Sequence, residues 1–471
     1  MVSVQEGTAR KDVSGGFVSR ELPLKYITIP ASFTPIKGVR LVWDLTRNGL
    51  TVDHNLYWIP SPSQVMSWLA DLIPPPHIRE PLTLLSFFRD IAAPLLCYYA
   101  TAVLVLTPNT LAIRLAVLPL SLWTFFNGAT RVDVVKTYND ERLAFLNQGL
   151  VIIFTALSMR MIVWSFQTKP FWRVKTLGET TPQFYSAHPP PLRPKQVFRD
   201  AFELGCNLRG CGWNWSRYLQ IPTETRPKST RSFVAATSIS VLIHLVMFDA
   251  IQYSIQCFGP TTIGSARGGT IFDPNLSPLL RYSRSSLITF LTGLAVYSSI
   301  QAGYDIATLL GVLVFGQDTS LWPPAFKAPW LSTSLSELWA IRWHQLFRDV
   351  FISLGGRPLS FVFGRVGAVM GAFLVSGIFH NLGMWGMGRG TEFLTIGGFF
   401  IMNGIGVILE HQWRITSGQR VGGWLGRTWT MMWVVGWGNI LAEAWATRGL
   451  IGSAFQPQSM RLTTHIFGPL P

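Results

Sequence analysis

Charge is what this chain has least of. Asp, Glu, Lys and Arg make up 13% of its 471 residues, roughly half of the about 25% found in soluble globular domains. Beside 48% hydrophobic residues and a mean hydropathy of +0.30, that scarcity excludes an ordinary soluble enzyme, a disordered chain and a nucleic-acid-binding module. Acids are scarcer than bases, 24 against 39, for a net charge of +15. No Asp-rich cluster occurs in the apolar stretches, which argues against the magnesium and diphosphate chemistry of a membrane prenyltransferase or terpene cyclase. Cysteine is limited to Cys97, Cys206, Cys211 and Cys257. They are too few for a disulfide framework, and Cys206 and Cys211 lack the neighbouring ligands of a zinc site, so no metal is expected. The N-terminal MVSVQEGTARKDVSGG has no apolar run behind its charges; no cleaved signal peptide is expected, and insertion relies on internal helices. The halves show no self-similarity of the kind found in repeat-built transporters.

What is present is a series of apolar stretches long enough to cross a hydrocarbon core of about 30 Å. They lie near 91–107, 111–126, 144–165, 232–251, 286–316, 363–386, 393–409 and 426–446. The fold class they imply is all-α: a polytopic membrane bundle of about eight transmembrane helices with amphipathic in-plane helices, the fifth stretch forming one tilted helix or two broken ones. Residues 1–90 read as an extramembrane or interfacial cap with strand-like pieces at 24–30 and 39–45, and 91–471 as the membrane-embedded domain. The polar break 166–231 carries eleven Lys or Arg and four acids, which places it in the cytosol by the positive-inside rule. Parity then returns 317–362 to the cytosolic side, as a re-entrant or interfacial segment.

Ionisable groups inside membrane helices are functional candidates by default. Here they are Arg114, Arg160, His244, Asp249, Asp305, His380, Glu410 and Glu443. Arg114, Arg160 and Glu410 sit near enough to helix ends to snorkel. His380 differs because Gly367, Gly371, Ser376 and Gly377 clear space along its helix, and Gly367 and Gly371 have the small-xxx-small spacing that admits another helix. A neutral imidazole there can take a proton from an alcohol. The alternative is a core histidine bonded to a carbonyl. A second constellation is LWPPAFKAPWLSTSLSELWAIRWHQLFRDVF. Ser334 and Glu337 form a capping box, and the apolar spacing that follows predicts a helix lying in the membrane surface. On it His344 and Arg348 would be neighbours one turn apart.

From Trp322-Pro323-Pro324 through Ser334-Leu335, Arg342-Trp343-His344-Gln345 and Arg348 to Ser376-Gly377-Ile378-Phe379-His380, the chain resembles the wax-synthase-like branch of the membrane-bound O-acyltransferases. Its Arg209-Gly210-Cys211-Gly212-Trp213-Asn214-Trp215 is similar to the fungal members that acetylate hydroxyls of terpenoid and meroterpenoid secondary metabolites. Leu338-Trp339-Ala340-Ile341 departs from that pattern. The resemblance covers about 200–460. It implies an acyl-CoA-dependent O-acyltransferase of the endoplasmic reticulum membrane, with no permanently bound cofactor, acetyl-CoA or another acyl-CoA as co-substrate, and a lipophilic alcohol as acceptor. A long-chain, wax-ester-forming acyltransferase is the alternative, and a transporter the alternative of another class. The resemblance further implies His380 as catalytic base, assisted by His344, which lies 380 − 344 = 36 residues upstream. Chemistry agrees on the residue types, since an alcohol attacking a thioester needs a base at its hydroxyl and a donor at the developing oxyanion. Arg342, Arg348, Trp343 and Gln345 are candidates for the CoA donor, and Ser376 and Asn381 for the acceptor pocket.

Overall fold

The computed structural model describes residues 74–173, 194–215 and 220–470 together with four short strands nearer the N-terminus. It comprises two compact units, Met1–Ile73 and Pro74–Pro471. In the first, β1 (Ile36–Lys37) pairs antiparallel with β4 (Leu56–Tyr57), and β2 (Arg40–Asp44) with β3 (Gly49–Asp53), Arg40 lying opposite Asp53 and Asp44 opposite Gly49. The strand expected at 39–45 is β2; the piece at 24–30 lies outside the described residues.

The second unit is helical. Its main helices are α1 (Ala93–Leu106), α2 (Leu111–Arg131), α3 (Ala144–Ser165), α4 (Pro194–Cys206), α5 (Thr230–Cys257), α6 (Pro278–Leu313), α7 (Arg357–Gly386), α8 (Phe393–Ser417) and α9 (Gly423–Thr447). Every apolar stretch expected from the sequence coincides with one of them. Among the described residues seven helical stretches are long and apolar enough to cross a membrane. α9 is as long, but Trp424, Trp429, Trp433, Trp437 and Trp445 lower its hydropathy. The fifth stretch is one continuous helix of 36 residues. α4 is amphipathic: Val197, Ala201 and Leu204, three or four apart, bury one face against Tyr98, Trp164 and Phe171.

Helix ends sort into two faces. Arg79 Nη1 donates to Gly386 O (2.9 Å), Arg389 Nη2 to Glu141 O (2.9 Å), Arg389 Nη1 to Ala266 O, and Arg448 Nε to Gly390 O (2.9 Å). The starts of α3, α6 and α8 and the ends of α5, α7 and α9 therefore meet at one face. Glu80 pairs with Val132, so α1 and α2 form a full hairpin, and the 166–231 segment emerges at the opposite face.

The segment after α6 departs from the expected in-plane helix. Ser334 caps a single turn, Leu335–Glu337, and the wide turn Leu338–Arg342 ends at Trp343, whose ψ of 156° is extended. Helix resumes only at Arg348, so His344 and Arg348 do not share a continuous helical face. Nor does the segment lie on the surface. It descends between α6 and α8, with Tyr304 Oη donating to Pro323 O (2.7 Å), Tyr297 packed on Phe326 (ring centroids 4.9 Å) and Trp339 Nε1 donating to Asn403 Oδ1 (3.1 Å). Too many apolar groups point to opposite sides for an interfacial helix, and a groove between two helices buries both.

From Arg348 the chain climbs as a helix, reverses at Phe363 and Gly364, and continues as the long arm of α7. Gly364 has φ 55°, a region that glycine enters without a β-carbon penalty. The two arms touch backbone to backbone: a β-carbon on Gly355 would collide with Gly371 O, one on Gly371 with Gly355 O, and one on Gly367 with Leu359 O, while one on Gly356 would sit 2.9 Å from Ala368 O. The helix that Gly367 and Gly371 admit is thus the chain's own preceding arm.

Candidate active site

Antiparallel arms in the Gly355–Gly371 register place residues near 346 opposite those near 380. Phe347 accordingly meets Phe379 (5.1 Å), Phe347 also faces His344 (6.0 Å), and Phe379 faces His380 (5.2 Å). The two imidazoles, 36 residues apart in sequence, lie within electrostatic reach of each other.

His380 Nδ1 is 2.8 Å from Ser376 O. A carbonyl only accepts, so Nδ1 carries the proton and Nε2 presents its lone pair, with no hydrogen bond of its own among the described residues. Phe400 of α8 stacks on the ring at 4.3 Å and 23°, and α8 comes this close because Gly377 faces Gly397, a β-carbon on Gly377 falling 3.0 Å from Gly397 Cα. The structure thus shows the carbonyl-bonded histidine of the alternative reading; that bond fixes the tautomer and leaves the other nitrogen as an acceptor. His344 sits among Phe326 (5.6 Å), Trp343 (5.7 Å) and Phe347. Its Nδ1 is buried with no hydrogen-bond partner among the described residues, an arrangement that a protein tolerates where a ligand completes the bond.

The remaining sequence candidates are engaged in holding this loop. Arg342 Nε pairs with Glu337 (2.7 Å), and its Nη1 donates to Lys327 O (3.0 Å). Burial would push the Glu337 carboxyl up, but the Thr333 amide and Arg342 hold it below its ordinary value. The capping box is displaced by one residue: Ser334 Oγ accepts from Glu337 N–H, but the Glu337 carboxylate answers to Thr333 N–H (2.8 Å). Gln345 is buried, donating to Trp343 O (2.9 Å) and accepting from Arg348 Nη1 (3.0 Å), which also donates to Ala340 O (2.8 Å). Arg348 thus closes the loop through Nη1. Trp343 packs on Phe326 (5.0 Å). Ser376 is buried one turn below His380, whereas Asn381 accepts from Thr391 Oγ1 (2.6 Å) and so ties α7 to the link before α8, away from the imidazole.

Snorkelling is overturned for three groups. Arg114 donates to Trp164 O and Gln167 O (2.7 Å), and Arg160 to Leu204 O (2.9 Å), each closing the end of a neighbouring helix. Glu410 is 7% exposed and accepts four hydrogen bonds. Sequence reasoning had Glu410 among the ionisable candidates but read it as snorkelling, and it missed Asn403 and Phe400; the available signal was the spacing of three and seven along one helix face. Asp249 is bound by Arg461 Nε (2.8 Å) and by Thr463 N–H and Oγ1 (both 2.9 Å), anchoring the C-terminal segment.

The stretch that brings the two imidazoles together is also the one that resembles known proteins. Residues 322–402 match the membrane bound O-acyl transferase family. The matched stretch of that family contains the loop, both arms of the hairpin, both histidines and the first half of α8. The long-chain-alcohol O-fatty-acyltransferase of Simmondsia chinensis is 30% identical over 18% of the chain and 27% of its own length. Acetyltransferase eriL of Hericium erinaceus is 24% identical over 45% of the chain and 56% of its own length. Acetyltransferase aurG of Calcarisporium arbuscula is 27% identical over 30% and 38%. The chain thus spans about a quarter to about half the length of the curated relatives it matches.

Proposed function

We propose that the protein is an acyl-CoA-dependent O-acyltransferase that moves an acetyl group from acetyl-CoA to a hydroxyl of a lipophilic terpenoid or meroterpenoid intermediate in secondary metabolism. The observation that carries this reading is His380, with Nδ1 committed to Ser376 O and Nε2 free, set near the partnerless Nδ1 of His344. His380 Nε2 accepts the hydroxyl proton as the alcohol oxygen bonds to the thioester carbonyl carbon. His344, as an N–H donor, faces the oxygen that becomes negative. The C–S bond then breaks and the proton passes to the departing thiolate, giving ester and free CoA with no covalent acyl-enzyme.

The face bearing the basic 166–231 segment is assigned to the cytosol, in the endoplasmic reticulum membrane, and receives CoA there. Arg342, fixed by Glu337, with the exposed Lys327 beside it, meets the CoA phosphates. The alcohol enters from the bilayer. Two fungal relatives named as acetyltransferases support acetyl as the group moved; the plant relatives named for long-chain alcohols favour fatty acyl as the second reading. Membranes containing the protein, given labelled acetyl-CoA and lipophilic alcohols, are expected to form labelled ester. Ester formed from a labelled fatty acyl-CoA alone would select the second reading, and no ester from either donor would reject both.

A further inference from the structure

We propose that one face of α8 is the jig that sets the distance between His344 and His380, and that Glu410 is its principal positioning residue. Phe400, Asn403, Gly406 and Glu410 recur at three or four residues and so share a face. At one end Phe400 stacks on His380. At the other, Glu410 Oε1 accepts from Leu335 N–H (2.6 Å) and Trp429 Nε1 (3.1 Å), and Oε2 from Ser336 N–H (2.9 Å) and Ser336 Oγ (2.7 Å). An ionised carboxylate has about four acceptor sites, and here all are filled. Two of the donors are the orphan amides that open the turn leading to His344, so the carboxylate anchors that turn as a cap from another helix.

Between these ends Asn403, fully buried, donates to Phe399 O (2.8 Å) and accepts from Trp339 Nε1 (3.1 Å). Gly406 leaves the room that Leu335 fills, since a β-carbon there would strike Leu335 Cδ1. The loop is thus gripped at 335–336 and again at 339, just short of His344, by the helix that carries the ring stacked on His380. A helix is stiff, whereas the loop's own turn is short and ends at Trp343, so the spacing between the imidazoles is set by α8. The catalytic consequence rests on the acyltransferase reading; the grip on the loop does not.

Glu410→Gln keeps the shape but turns an amide NH2 towards donors. In the full-length protein it is expected to lower kcat by about tenfold or more, with KM for acetyl-CoA nearly unchanged, as for a misplaced catalytic group. Introduced into His344→Ala, the same change is expected to cost no more than about twofold, because both act through one group. Independently of turnover, carbethoxylation of His344 by diethyl pyrocarbonate, read by peptide mass against the exposed His465, is expected to rise about threefold or more once the loop is released. Ser336→Ala, which removes one donor from the loop side and spares the acid, is expected to move each readout the same way to a lesser degree. Equal losses with and without His344, or unchanged His344 modification in both variants, would overturn the proposal. A wild-type protein that transfers no acyl group would reject the function, while the modification rates still judge the grip.

Discussion

His244 and His380 each sit within a long membrane helix and bond the carbonyl four residues back, yet their surroundings differ in what meets the second nitrogen. His244 of α5 donates from Nδ1 to Ser240 O (2.8 Å), and its Nε2 meets Tyr297 Oη at 3.4 Å. Ser240 Oγ in turn donates to Asp305 (2.6 Å), which also accepts from Gln301 (2.9 Å) and lies 3.8 Å from Arg226. His380 makes the same bond to the carbonyl four residues back, but nothing among the described residues answers its Nε2. One imidazole closes a network; the other leaves it open on one side. On the acyltransfer reading proposed above, that open nitrogen is where a substrate hydroxyl would meet its base. Tyr297 packs on Phe326 and Phe326 on His344, so the closed network and His344 are joined through one aromatic ring.

The sharpest way to break this contrast is to remove each imidazole in turn. His380→Ala is expected to lower acetyl transfer by about 10²- to 10⁴-fold, the usual weight of a general base, measured as labelled ester per folded protein. His344→Ala is expected to cost about 10²- to 10³-fold in kcat, the weight of an oxyanion donor, with KM for acetyl-CoA little changed; a pure KM effect would remove it from the reaction centre. Gly355→Val would force the hairpin arms apart without touching either imidazole, and a shift of about 1 Å is expected to cost about 10²-fold in turnover. Arg342→Ala is expected to raise KM for acetyl-CoA several-fold, about the worth of 1 kcal/mol for one charge contact, leaving KM for the alcohol as it was. Smallest of all in activity is His244→Phe, expected to lower stability by about 1–3 kcal/mol through unpaired buried groups yet to keep turnover per folded protein within a few-fold. If that variant were as inactive as His380→Ala, the distinction between the closed and open networks would fail.

Much of the bundle was legible because hydrophobic runs of helix length have few alternatives in a bilayer. All eight apolar stretches became helices, and the motifs singled out the two histidines, 344 and 380, that the fold brings near each other. What misled was locality. A periodic apolar stripe after Ser334 reads as one amphipathic helix, because spacing alone cannot tell an interfacial face from two faces buried in a groove. The turn breaks at Trp343 because Trp339 and Leu335 are each held from α8, and tertiary bonds outrank helix propensity there. Glu410, read as a snorkelling acid from its place near a helix end, is committed by partners 74 and 75 residues away.

Composition and periodicity by themselves determined that this is a membrane-embedded all-α protein with a basic segment on one side, because no soluble packing hides so much apolar surface with so little charge. Only the tertiary structure decided that Gly364 folds the site segment back on itself, that Gly355 and Gly371 set the register, and that a 36-residue separation thereby closes to one neighbourhood. Contacts between backbones depend on which arms meet. A sequence records the glycines that permit such contacts without recording their partners.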